Sequence, residues 1–330
     1  MADPSWPLLE RFPLLSVLKP VALCDLPTPV EPLPTVASHA RVKRDDLTRR
    51  DQGGNKPRKL EFVLADIRRR KATRVITLGA TGTNAGVATA LMCQREGLLC
   101  DVITFAQPET EVVRTNDRAM RNAGARLRPR NSLLGAALSW YLHPRRLDPK
   151  SYFLYAGCSN PVATYAYINA ALELAEQVEQ GKLAQPTEII VAAGSGATVA
   201  GLCIGAALAL PGTRIHAVQV APGKLGPFAV CHPDTINAMR RRAWQDLRQL
   251  EPQLPAEPED NLIWHDEYLG SGYGESTPRA AAAIEAGKAA GLTLETTYSG
   301  KAFACFLDRL AQANGEVLFW QTYGECMSDV

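Results

Sequence analysis

The run Gly53-Gly54-Asn55-Lys56-Pro57-Arg58-Lys59-Leu60-Glu61 sets a lysine where a glycine turn meets the start of a helix. Asn55 suits the cap of that helix and Pro57 its first turn. Leu60, Val63, Leu64 and Ile67 then recur at helical spacing, with Arg68, Arg69 and Arg70 near the far end. Lys56 therefore sits at the positive pole of a helix. There the ammonium is disfavoured, and the neutral amine, the form that attacks an aldehyde, is easier to reach. Taken alone, a glycine-flanked lysine is an ordinary solvated side chain, so its meaning depends on what the fold brings to it.

Two other segments read as strand, small polar loop, helix. Arg74 to Leu78 leads into Gly79-Ala80-Thr81-Gly82-Thr83-Asn84-Ala85-Gly86 and a helix from about Val87. Ile189-Ile190-Val191-Ala192-Ala193 leads into Gly194-Ser195-Gly196-Ala197-Thr198. A loop of this kind at a helix N-terminus offers backbone N–H groups and hydroxyls to an anion, and Ser195, Gly196 and Thr198 suit a phosphate monoester. Either loop alone is an ordinary strand-to-helix turn.

Together the three pieces resemble pyridoxal-phosphate enzymes of the tryptophan-synthase β-like fold (fold type II), and within them the family of 1-aminocyclopropane-1-carboxylate deaminase and D-cysteine desulfhydrase. The likeness begins with Leu26-Pro27-Thr28-Pro29-Val30-Glu31-Pro32-Leu33 and Lys43-Arg44-Asp45-Asp46-Leu47 and passes through the Lys56 run. It continues through Gly157-Cys158-Ser159-Asn160-Pro161, the Ser195 loop and Gly272-Tyr273-Gly274 to Tyr298-Ser299-Gly300-Lys301-Ala302. The resemblance implies an α/β protein of two doubly wound parallel-sheet domains: a small one over 61–170, and a large one built from 1–60 with 171–330. It implies pyridoxal 5'-phosphate held as a Schiff base on Lys56, with Lys59 in the motif but not the anchor. It gives the cofactor's phosphate to Ser195, Gly196, Ala197 and Thr198, and the ring hydroxyl to Asn84, for which a helix cap is the alternative role. A small amino acid as substrate and a homodimer follow from the same likeness.

The partner of the ring nitrogen sets the depth of the electron sink, because a carboxylate keeps the pyridine protonated and a hydroxyl leaves it largely neutral. The deaminase branch has a glutamate after the tyrosine of the C-terminal motif, where this chain has Ser299 after Tyr298. The desulfhydrase branch uses a threonine in a late histidine-threonine-glycine-glycine run, matched here by Gln321-Thr322-Tyr323-Gly324. Thr322 is thus the expected ring-nitrogen partner, and β-elimination the expected reaction, as in a D-cysteine desulfhydrase releasing pyruvate, ammonia and sulfide. A deaminase-like reaction on the cyclopropane substrate is the alternative. Candidates for moving the Cα proton are Lys56, Thr83, Tyr273 and Tyr298, the tyrosines being otherwise packing residues. Thr83, Ala85 and Tyr323 depart from the family's serine, histidine and glycine, which leaves the substrate open and keeps a cofactor-binding homologue without turnover in view.

The elements that must position these groups follow a regular alternation. Strands are expected at Arg41 to Arg44, Val75 to Leu78, Asp101 to Phe105, Tyr152 to Tyr155, Glu188 to Ala192 and Arg214 to Val220, with helices between them and a long helix from about Asn160 to Gln180. Pro255 to Glu259 reads as a surface loop. At 330 residues and 46% hydrophobic, the chain can bury a large core. A net charge of +2, and arginine clusters at 68–70 and 240–242 that read as solvated helix faces, give no reason to expect nucleic acid. The eight cysteines are scattered, with Cys93, Cys203 and Cys305 in apolar stretches, and show no zinc-ligating spacing. No apolar stretch is long enough to span a membrane, so a cytoplasmic enzyme is expected. A nicotinamide enzyme fits poorly: the glycines at 79, 82 and 86 have the wrong spacing, and Ile103-Thr104-Phe105 stands where an acidic ribose ligand belongs.

Overall fold

The apolar runs pair into two parallel sheets in a computed structural model, which describes residues 6–225 and 228–326. The larger sheet has the order β1 (Val30–Pro32), β2 (Ala40–Lys43), β13 (Val317–Trp320), β8 (Glu188–Ala193), β9 (Arg214–Gln219), β12 (Leu262–His265). Only β1 runs antiparallel to its neighbour. The smaller sheet is parallel throughout, in the order β6 (Arg126–Arg130), β5 (Leu99–Phe105), β4 (Arg74–Ala80), β7 (Ser151–Phe153). Every residue of β8 is buried, and β4 is buried except at Arg74. This is the pattern of strands covered by helices on both faces.

The helices that cover them are amphipathic or wholly apolar according to depth. On one face of the larger sheet lie α6 (Val162–Glu179), α7 (Ala197–Ala209) and α8 (Pro233–Leu250), and on the other α9 (Pro278–Ala289) and α10 (Ser299–Leu310). The smaller sheet is covered by α2 (Asn55–Arg69), α3 (Asn84–Arg95) and α4 (Glu111–Asn122) on one side, and by α5 (Leu133–Tyr141) with Trp140 on the other. A two-stranded ribbon, β3 (Gln52–Gly54) with β14 (Tyr323–Cys326), joins the start of α2 to the end of the chain.

All six expected strands form, within two residues of the expected limits, and the long helix is α6. The helix after the first small loop starts at Asn84 rather than Val87. Strands β6, β12 and β13 are among those that carry no sequence expectation. Arg-Leu-Arg-Pro-Arg in β6 is a polar, proline-containing edge strand, and β12 and β13 are only four residues each. Arg240 corrects the reading of its cluster as solvated: it is 4% exposed and donates to Asn237, the Glu259 carbonyl and Asn261. Cys93, Cys203 and Cys305 are buried, and among the described residues no helix is long and apolar enough to cross a membrane.

Candidate active site

A cavity of about 160 Å³ lies where the carboxyl ends of β4 and β7 face those of β8, β9 and β13. In the smaller sheet the chain moves from β4 out to β6 and returns to β7 on the other side, so the cavity sits at a topological switch point, where open α/β sheets leave a crevice. Nine of the ten residues singled out above line it: Lys56, Thr83, Asn84, Ser195, Gly196, Thr198, Tyr273, Tyr298 and Thr322. Ala197 is buried at the first position of α7, behind them.

The start of α2 differs from expectation in one residue. Gly54, at φ +96°, takes the cap position, where a Cβ would come within 2.8 Å of the Thr322 carbonyl. Asn55 is instead the first helical residue. Its backbone N–H donates to the Thr322 carbonyl (3.1 Å) and its Nδ2 to Thr198 Oγ1 (3.1 Å), while its Oδ1 accepts from Lys56 Nζ. Burial lowers the Lys56 pKa, with Cys158 and Glu295 opposing it. The direction is the one expected, but desolvation rather than the helix pole is the main cause. Lys59, one turn on, also lines the cavity; its Nζ donates to the Gly157 carbonyl (3.1 Å). Burial, and then Lys56, bring its pKa down to about 7.

Arg58 projects from the same turn to the opposite side and anchors it. It donates to Asp45 Oδ1 (2.8 Å), both oxygens of Glu173 (2.8 and 2.9 Å) and Thr28 Oγ1 (2.9 Å). Lys43 Nζ reaches the same Glu173 at 2.6 Å, and Tyr167 and Trp320 donate to Asp45 Oδ2, each at 2.8 Å. Burial alone would raise the Glu173 carboxyl, yet Arg58 and Lys43 hold it at about 2. The network ties α2 to β2 and α6 and so fixes where Lys56 starts.

The second small loop meets a third segment. Gly157, at φ +66°, stands where a Cβ would lie 2.2 Å from Ser195 Oγ, so only glycine permits the approach. Ser195 Oγ and Ser159 Oγ are 2.6 Å apart. Gly196 caps α7 without a side-chain partner for the first N–H groups of that helix. Backbone donors, the Ser195 hydroxyl backed by that of Ser159, Thr198 and Lys59 thus come together along one part of the cavity. Lys59 and Ser159 were given no role from sequence. The Gly157-Cys158-Ser159 run was the available signal, but only the fold shows that it closes on Ser195.

Around the other walls, Thr83 is the cap residue of α3, which removes the cap alternative for Asn84. Asn84 Oδ1 accepts from Asn116 Nδ2 (2.7 Å) and its carbonyl from Gln52 Nε2 (3.2 Å), so its own Nδ2 is the group left to donate. The hydroxyls of Tyr273 and Tyr298 are hydrogen-bonded to each other. Burial raises Tyr273 to about 12 and Tyr298 well above its ordinary value. Thr322 lines the cavity, whereas Ser299 lies fully buried outside it. Ser299 Oγ accepts from the Glu295 N–H (2.8 Å), and Glu295 Oε1 accepts from the backbones of Tyr298 and Ser299.

The comparisons with known proteins agree with this arrangement. A D-cysteine desulfhydrase of Klebsiella pneumoniae (strain 342) is 30% identical over 333 residues, 96% of this chain and 95% of its own. A putative 1-aminocyclopropane-1-carboxylate deaminase of Pyrococcus horikoshii is 31% identical over 325 residues, 95% of this chain and 94% of its own. Among solved structures, an ACC deaminase homologue superposes with a TM-score of 0.79 at 28% identity, covering 99% of this chain and 96% of that one. An O-ureido-L-serine synthase shares the fold at 16% identity, with a TM-score of 0.64 and coverage of 94% and 92%. Residues 21–321 match the pyridoxal-phosphate dependent enzymes. With that match spanning both sheets and the cavity between them, the chain belongs to the family of pyridoxal-phosphate dependent enzymes and has their type II fold.

Proposed function

We propose that the protein is a lyase that eliminates the β-substituent of a small amino acid, in the manner of a D-cysteine desulfhydrase, with Lys56 as covalent anchor. The observation that carries this reading is the pairing, in one cavity, of a half-buried amine whose one acceptor among the described residues is the Asn55 amide with an anion cradle at the start of α7. The cavity suits pyridoxal phosphate. Gly157 lets the Ser195 hydroxyl close on the cavity, and protonated Lys59 has three donors with a single carbonyl partner among the described residues. Ser195, Gly196, Ala197, Thr198 and Lys59 would hold the phosphate, Asn84 Nδ2 the ring oxygen and Thr322 the ring nitrogen. When bound, the cofactor supplies an electron sink for the bond broken at Cα.

The protein's own groups then divide the proton work. Lys56 Nζ, whose pKa burial lowers, is suited to take the Cα proton. The Tyr273 and Tyr298 hydroxyls, pushed upward by burial, stay protonated at neutral pH and serve as donors to the leaving group rather than as bases. Thr83 and the first N–H groups of α3 face the substrate carboxylate. A hydroxyl at the ring nitrogen favours β-elimination over opening an unactivated cyclopropane, and the seclusion of Ser299 from the cavity supports that preference. The second reading, a deaminase of the cyclopropane substrate, draws on the Pyrococcus horikoshii relative. Residues 61–170 would form the small domain and 1–60 with 171–330 the large one, in a cytoplasmic homodimer. Assaying cysteine enantiomers and the cyclopropane amino acid side by side tests the reading. Pyruvate is expected; 2-oxobutyrate with no pyruvate from any β-substituted alanine would overturn it.

A further inference from the structure

A second cavity, of about 320 Å³, opens beside the first and shares Thr83, Asn84, Tyr273 and Tyr298 with it. On the reading of the site given above, on which this inference rests, Thr83 faces the carboxylate and the Tyr273 and Tyr298 hydroxyls face the leaving group. A substituent that continues past Cβ therefore enters the second cavity. Cysteine, with one sulfur beyond Cβ, has no use for such a space, since a water-sized group needs only roughly 10–15 Å³. One wall is the first turn of α4, from Thr110 to Val113, and the facing wall is the segment from Leu294 to Thr297.

The lining also has a sign. Its uncharged part mixes threonines with Val112, Val113, Ile284 and Leu294, and its charged residues among those described are Glu111 and Glu295, with no lysine, arginine or histidine. Glu295 is committed to the backbone N–H groups of Thr297, Tyr298 and Ser299. Glu111 is exposed on the first turn of α4. A neutral or cationic tail is accommodated by these groups, while an anionic tail meets two carboxylates and no counter-charge.

We propose that this second cavity receives the leaving group, and that the substrates are β-substituted alanines carrying an elongated neutral or cationic substituent. For a thioether the Cβ–S bond breaks with its electron pair on sulfur. Lys56 Nζ takes the Cα proton, a tyrosine hydroxyl returns one to the departing thiol, and water converts the remaining three-carbon unit to pyruvate and ammonia. One amino acid and one water thus give pyruvate, ammonia and a thiol.

The test compares kcat/KM of the holoenzyme for cysteine, S-(2-aminoethyl)cysteine and S-carboxymethylcysteine, each as both enantiomers, by pyruvate release. The aminoethyl compound should be used at least as well as cysteine and at least tenfold better than the carboxymethyl one. Glu111→Lys, at an exposed helix position, should reverse that preference, and Val112→Trp should lower kcat/KM for the aminoethyl compound at least tenfold while leaving cysteine within about twofold. Pyruvate from cysteine with no response of the longer substrates to either substitution overturns this inference alone. No pyruvate from any of the compounds, with the cofactor bound, overturns the proposed function and the inference with it.

Discussion

One turn of α2 carries three basic side chains, Arg58 and Lys59 buried and Lys56 half-buried, whose surroundings differ. Arg58 is enclosed by Asp45, Glu173 and Thr28, with carboxylates matching its fork. Lys56 and Lys59 have one neutral acceptor each, an amide oxygen and a carbonyl. A buried charge without a counter-charge costs stability, so a fold retains one only if something outside the protein completes it. Complete compensation marks Arg58 as structural, and its absence marks the two lysines as waiting for an aldehyde and an anion. The same helix thus holds an anchor on one side and a reaction site on the other.

Four substitutions and one titration would break or sharpen that contrast. Lys56→Ala should lower turnover by on the order of 10³-fold or more while leaving weak cofactor binding through the phosphate cradle, as steady-state rates and cofactor titration will show. Arg58→Met should destabilise the apo protein by about 3–5 kcal/mol, because Asp45 and Glu173 lose their partner. Lys59→Met, by contrast, should leave apo stability unchanged or higher and weaken cofactor binding. Denaturant unfolding of both variants checks the pair, and equal losses would erase the distinction drawn here. Thr198→Val removes a hydroxyl from a dianion site. Such charge-assisted bonds are worth about 1.5–3 kcal/mol, so cofactor affinity should fall about tenfold or more.

The smallest effect is in pH. Lys59 has a pKa of about 7 in the folded protein against an ordinary 10.5, so above neutrality it is largely uncharged until an anion binds. Phosphate favours the protonated form. Affinity should therefore be highest where Lys59 already carries its proton, near and below pH 7, and weaken as pH rises, by at most about tenfold per unit. Measured on a Lys56→Ala background, which removes the covalent step and also the part of the lowering due to Lys56, the slope should begin above pH 7 and vanish in Lys59→Arg.

Much of this was legible in the sequence, for identifiable reasons. Long apolar runs such as Ile189 to Ala193 announce buried parallel strands, and a glycine beside a lysine or serine at a helix start announces a turn that backbone donors can share. Asn55 was misread as a cap because its side chain is a good capping group. Gly54 can adopt the required positive φ at no steric cost, which frees the asparagine for Lys56 and Thr198. Lys59, Ser159, Asn116 and Gln52 act through partners 30 to 100 residues away, and no local pattern records such a meeting. The same is true of Asp45 and Glu173, which read as ordinary carboxylates until the fold closes them around Arg58.

The most direct test of the account is chemical trapping. The purified protein should be yellow, and borohydride reduction followed by proteolysis and mass spectrometry should place the pyridoxyl group on the peptide at Lys56. A label on Lys59, or no bound cofactor after reconstitution, would contradict the assignment of the uncompensated amine at the start of α2 as the anchor.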